Sequence, residues 1–128
     1  MEINFKYNLN FLNIILYYNC QTNKLNNMIY HFKIYQVDSK DIAKRAYLFE
    51  PYRRVKDSFS IDNYKLVYED DYHIELDNID MKYILEDLFK IFNIARPKDF
   101  KGHSLSVSDV IEINENKYYC DSFGFKKL

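Results

Sequence analysis

The residues of this chain that could make or break bonds are few and scattered. His103 adjoins Ser104, Cys120 follows downstream, and Asp109 or Asp121 could orient a base. A nucleophilic hydrolase needs its nucleophile, base and orienting carboxylate to converge in space. The local pattern argues against that. No Gly-x-Ser-x-Gly elbow is present, and side chains of sequence neighbours such as His103 and Ser104 diverge on a strand. His31 sits in a strand and His73 beside an acidic stretch, scattered histidines of a kind that more often make surface or core hydrogen bonds than a metal site, and there is no Cys-x-x-Cys pair, phosphate loop or Gly-x-Gly-x-x-Gly turn. We therefore expect no metal, no cofactor and no enzymatic activity. Cys20 and Cys120, one hundred residues apart, read as idle thiols in a reducing cytoplasm.

Charge is the more informative signal. The whole chain of 128 residues has a formal net charge of −1, which excludes the strongly basic footprint of a typical nucleic-acid-binding protein. Within it, residues 28–60 carry seven Lys or Arg against four Asp or Glu, and residues 61–90 carry three against nine. The acidic members are Asp62, Glu69, Asp70, Asp71, Glu75, Asp77, Asp80, Glu86 and Asp87. Such a set can imitate a phosphate backbone and enter a basic channel, or it can be an ordinary solvated face that also favours a helix N-terminus. Of these we take Glu69, Asp70, Asp71, Glu75, Asp77 and Asp80 as candidate partner-binding residues. Arg53 and Arg54, in a basic loop beside Tyr52, join them; direct nucleic-acid binding through that loop is the weaker alternative.

These groups must be positioned by elements whose periodicity is visible. Residues 29–37 alternate, with Tyr30, Phe32 and Ile34 on one side, as in a half-buried strand. Asp38 and Ser39 can cap a helix running to about residue 49, where Pro51 ends it, and residues 52–63 read as a loop. Residues 64–76 alternate again about Asp70-Asp71. A helix over 79–94 is signalled by Met81, Ile84, Leu85, Leu88 and Phe92 on one stripe, with Lys82, Glu86, Asp87 and Lys90 on the wet face and Asp77 or Asn78 as its cap. Residues 110–113 and 118–120 flank a turn at Asn114-Glu115-Asn116. The predicted fold is α+β: a small, mostly antiparallel sheet packed by two helices, about 39–49 and 79–94, with a C-terminal β-hairpin. Residues 1–27 are Asn-rich and lack a clear period, and read as a segment appended to a domain of 28–128. Their apolar run Phe11–Tyr18 is far short of the ~20 residues that span a bilayer, and the Met1-Glu2 start lacks the basic character of a signal peptide. A cytoplasmic protein without membrane association is expected.

The closing third carries Gly102-His103-Ser104, Ser106-Val107-Ser108-Asp109-Val110 and Asp121-Ser122-Phe123-Gly124-Phe125, preceded by a helix end at Phe89–Pro97. In these motifs the chain resembles the YodL-like domain carried by proteins of Bacillota and their plasmids, integrative elements and phages, most strongly over 96–128. The abundance of Lys, Asn, Ile, Tyr and Phe, residues of AT-rich codons, suits such a source. The resemblance implies a mobile-element setting, often beside functions that blunt host restriction or CRISPR defence, and supplies no catalytic residues. Read from the residues themselves, the motifs are scaffold. Gly102 and Gly124 mark positive φ or close backbone approach, the Ser and Asp side chains satisfy turn amides, and Phe123 and Phe125 pack in the core. The expectation is an anti-CRISPR inhibitor acting in the cytoplasm of a bacterial host. It would bind a Cas nuclease or its guide complex and occlude a nucleic-acid channel. The alternative is an accessory domain that binds a host or plasmid protein unrelated to defence.

Overall fold

A computed structural model describes residues 28–75 and 78–128 of the chain. Strand β1 (Met28–Val37) is followed by a 3₁₀ helix (Ile42–Tyr47), a four-residue helix α1 (Tyr52–Val55) and a 3₁₀ turn (Ile61–Asn63). Strand β2 (Tyr64–Ile74) and helix α2 (Met81–Ile94) come next, then β3 (Val110–Ile113), β4 (Asn116–Cys120) and β5 (Phe125–Lys127). The five strands form one sheet in the order β2-β1-β3-β4-β5, and the β1–β3, β3–β4 and β4–β5 pairings are antiparallel. The expected α+β class and C-terminal hairpin are both present. The described residues group into two compact units, one of 31–70 with 100–128, the other of 71–99 with the start of β1.

In the first unit, register assigns the side chains to two faces. Tyr35 lies opposite Val110 and Val110 opposite Tyr119, so these three share one face of the sheet. Val110 and Tyr119 are fully buried there with Val55, and Tyr35, Tyr47, Tyr52, Phe59, Ile61 and Tyr64 pack around them. This cluster accounts for much of the tyrosine excess. Each ring brings apolar area, worth ~1.5–3 kcal/mol for a large side chain, and a hydroxyl that must find a partner when buried. Tyr119 donates to the Glu50 carbonyl at 2.6 Å and Tyr64 to the Ser108 carbonyl at 2.7 Å. On the other face Phe32, Ile34, Ile111 and Ile113 are fully buried.

The segment after β1 departs from the single helix expected over 39–49. Asp41, not Asp38 or Ser39, caps it, accepting from the Ala43 amide at 3.0 Å. The 3₁₀ helix has no buried residue, so nothing drives its extension. Phe49 then turns to φ 62, and Pro51 disfavours helix at the residue before it. Pro51 also opens α1, so part of the expected 52–63 loop is helical.

The second unit holds α2. Its buried residues are Ile84, Leu85, Leu88, Ile91 and Phe92, the expected stripe, together with Asp87. Asp87 therefore leaves the wet face on which it was placed: it is 2% exposed and accepts from the Tyr72 hydroxyl at 2.6 Å. The start is capped by Asp80, whose carboxylate accepts from the Lys82 amide at 3.1 Å. Asp77, an expected cap, lies outside the described residues, as do Cys20 and the whole of 1–27.

The two C-terminal connections are built from positive φ. Asn114 (φ 46) and Glu115 (φ 73) form a two-residue turn between Ile113 and Asn116, the sign pattern of a type I′ hairpin. Gly124 at φ 70 closes the β4–β5 turn, where a Cβ would meet no neighbour. Gly124→Ala should therefore cost about 1 kcal/mol through backbone strain alone, read as a lower urea midpoint with an unchanged m-value.

Candidate functional site

The residues with the most chemistry meet around one buried carboxamide. Gln36, on β1, is 2% exposed. Its Oε1 accepts from the His103 amide at 3.1 Å. Its Nε2 donates to the His103 carbonyl at 2.8 Å and to Asp109 Oδ2 at 3.0 Å. The segment reaches this close because position 102 is glycine: a Cβ there would lie 2.3 Å from Gln36 Oε1. Asp109 Oδ2 also accepts from the Ser106 amide at 2.9 Å, which folds residues 106–109 into a turn.

The tautomer of His103 follows from counting hydrogens. Both hydrogens of Gln36 Nε2 are spent on the His103 carbonyl and Asp109, so its 3.2 Å approach to His103 Nδ1 adds no third bond. Nδ1 then keeps its own proton and donates it to the Ser104 carbonyl at 2.7 Å. Nε2 lies 3.9 Å from Asp109 Oδ1. That oxygen is buried and has no hydrogen bond, and Asp109 as a whole is 0% exposed. Burial dominates its titration and pushes the carboxyl up to about 7, with the His103 charge and the bonds from Ser106 and Gln36 pulling the other way.

The remaining motif side chains fasten one loop, residues 49–52, to the sheet. The Phe49 amide donates to Ser108 Oγ at 2.9 Å, the Glu50 carbonyl accepts from Tyr119, and the Tyr52 amide donates to Asp121 Oδ1 at 3.1 Å. Asp121 Oδ1 also takes the Ser122 amide at 2.8 Å. Cys120 is held by its backbone to Ser108 and Asp109, its side chain is 1% exposed, and burial raises the thiol well above its ordinary range, with Asp109 adding to the effect. A thiol held protonated is a poor nucleophile. His103 and Asp109 are thus brought together, with Cys120 joined to Asp109 through its backbone, in a lattice of turn and loop bonds. Gln36, its centre, gave no sequence signal, since it alternates with apolar residues on a strand. Gly102 was legible, as a close approach. Phe123 corrects its expectation: it is 97% exposed at the tip of the β4–β5 turn, because Asp121 and Gly124 turn the chain outward there, while Phe125 is half-buried.

The expected partner-binding residues are less uniform than the sequence suggested. Glu69 is exposed and pairs with His31 Nε2 at 2.6 Å. Asp70 accepts from the Tyr68 hydroxyl at 3.3 Å, sharing the side of β2 that bears that buried ring. Glu69 and Asp71 alternate onto the opposite side of the strand. Glu75 is half-buried with Oε2 unbonded, Asp80 is spent as a cap, and Asp77 is outside the described residues. Arg53 is exposed, and Arg54 pairs with Glu50 at 3.5 Å. Among the described residues no group of three or more His, Cys, Asp and Glu could hold a metal ion, and no helix is long and apolar enough to cross a membrane.

A family model described as the YodL-like domain matches residues 31–128. No curated protein and no solved structure matches the chain.

The buried carboxyl generates a signed pH dependence. Asp109 titrates near 3.8 when unfolded and near 7 when folded, so between these values the folded state holds the extra proton. Its contribution must then fall as pH rises from about 4 to about 7 and level off above. In Asp109→Asn that decline should vanish, leaving the variant more stable relative to wild type at pH 8 than at pH 4, measured by urea denaturation. Gly102→Ala should cost at least ~2 kcal/mol, from overpacking against Gln36.

Proposed function

The chain belongs to the YodL-like domain family, and on that footing we propose that it is a non-enzymatic anti-defence protein of a phage or plasmid. In this reading it works in the bacterial cytoplasm and inhibits a CRISPR-Cas effector nuclease by protein–protein contact that occludes a nucleic-acid channel. The observation that carries the reading is the fate of the reactive groups. The His103 ring donates to a loop carbonyl, Asp109 and Cys120 are buried, and Ser108 and Asp121 hold backbone amides. With those groups buried or bonded to loops, His103 Nε2 apart, what the exterior offers is chiefly charge.

The charge with the right sign for a basic channel is the run Glu69-Asp70-Asp71 in β2, followed by Glu75. Carboxylates at successive positions offer a cationic groove the same bonds that phosphates do, with fast and salt-sensitive association. Glu69 and Asp71, on the side of the strand away from Tyr68, are the residues we assign to the contact. Arg53 and Arg54 would meet acidic positions on the rim of the same partner.

Purified protein should inhibit guided cleavage by a Cas effector in a salt-dependent manner. Glu69→Lys with Asp71→Lys should weaken that inhibition about ten-fold or more, since juxtaposed like charges cost several kcal/mol. Unchanged inhibition would remove the channel-mimic mechanism. An inert protein across a broad set of Cas and restriction nucleases, with a stable host or plasmid complex unrelated to defence, would instead support the accessory-domain role.

A further inference from the structure

Phe123 has no structural task. Its ring is 97% exposed at a turn that Asp121 and Gly124 form without it. A second ring, Phe49, is 60% exposed and sits at φ 62, a conformation that costs a bulky residue ~1–2 kcal/mol. It is held there by Ser108, itself buried at φ 87, and its ring lies 5.9 Å from the His103 ring. Backbone strain that presents an apolar side chain to water is a reason to look for function at that position. The segments that carry the two rings adjoin, because Asp121 Oδ1 bonds both the Tyr52 amide, three residues after Phe49, and the Ser122 amide, next to Phe123.

Cations flank these segments. Residues 40–56 carry six Lys or Arg against two Asp or Glu. Arg53 follows Tyr52 directly, and Lys56 ends the same short helix. Lys126 lies opposite Tyr119 in the β4–β5 ladder, so it shares the face to which the Phe49 loop is fastened. Arg53, Lys56 and Lys126 are exposed and, among the described residues, enter no ion pair.

We propose that Phe123 and Phe49, flanked by Arg53, Lys56 and Lys126, form a binding surface for single-stranded nucleic acid, with bases stacked on the rings and phosphates on the cations. Each nucleotide offers a flat π-face and a negative charge, the complement of this alternation of ring and cation. A protein partner fits less well. A stable interface has an apolar centre within ~800 Å² per side, whereas the exposed neighbours of Phe123 are Ser122, Gly124 and Lys126. The surface uses none of the acidic residues assigned to the nuclease contact and shares only Arg53 with it, so Phe123→Ala on one side and Glu69→Lys with Asp71→Lys on the other tell the two readings apart.

Fluorescence anisotropy with labelled oligo(dT) and oligo(U) tests it, the two arms separating DNA from RNA as the ligand. Binding should weaken with salt at a log–log slope near ~−2, for three neutralised phosphates on a single strand. Phe123→Ala should weaken it about ten-fold, as loss of one stacked base does. Arg53→Glu should weaken it and flatten the slope. Phe49→Gly should also weaken binding with little change in stability, since glycine relieves the φ strain. Each variant keeps its native circular dichroism, and Glu69→Lys with Asp71→Lys leaves binding intact or stronger. Absence of binding to either oligonucleotide at low salt would overturn the proposal. So would binding indifferent to Phe123 and Arg53, or loss of nuclease inhibition in Phe123→Ala by a protein that binds no oligonucleotide.

Discussion

The carboxamide of Gln36 is the constraint on which this domain is organised. It sits in β1, yet its bonds go to a segment sixty-seven residues later, at the amide and carbonyl of His103, and to the carboxyl of Asp109. A buried amide left unsatisfied costs ~1–3 kcal/mol per group, so the chain has strong reason to bring residues 102–109 to this place. Once there, Asp109 shapes its own turn and places Ser108. Ser108 fixes the Phe49 amide, and its carbonyl takes the Tyr64 hydroxyl. The order of dependence runs from a sheet side chain, to a turn, to a loop that Tyr119 and Asp121 also fasten.

The same economy decides what the reactive residues can do. His103 Nε2 and Asp109 Oδ1 lie 3.9 Å apart, and the buried Cys120 is joined to Asp109 through its backbone. The His103 Nδ1 proton goes to Ser104, Asp109 is enclosed with its carboxyl pushed up to about 7, and burial raises the Cys120 thiol well above its ordinary range. Two features remain at the exterior: the acidic run of β2, in which Glu69 is exposed, and the exposed Phe49 and Phe123 with Arg53, Lys56 and Lys126, which enter no ion pair among the described residues.

How much of this could be read from residues alone depended on whether the cause was local. Hairpin turns, alternating strands and the stripe of α2 are local, and they were legible. So were the roles of Gly102 and Gly124, because a chain with only two glycines advertises where it needs them. The helix expected over 39–49 shrank because its caps and spacing say nothing about whether a face exists for it to cover. Asp87 looked solvated by period, and only its pairing with Tyr72 shows otherwise. Gln36 and Phe123 were opaque for opposite reasons. A polar residue in a strand gives no hint of a distant partner, and an aromatic beside glycine reads as core until the turn is seen to carry it outward.

The central claim is that one amide-centred lattice holds the 102–109 turn and the Phe49 loop as a single unit. Native-state hydrogen exchange of the His103, Ser106 and Phe49 amides, in wild type and in Gln36→Leu, tests it most directly. The account predicts that all three are protected in wild type with similar opening free energies, and that all three lose protection together in the variant while α2 keeps its own. Rapid exchange of these amides in wild type, or loss at His103 alone with Phe49 untouched, would contradict it.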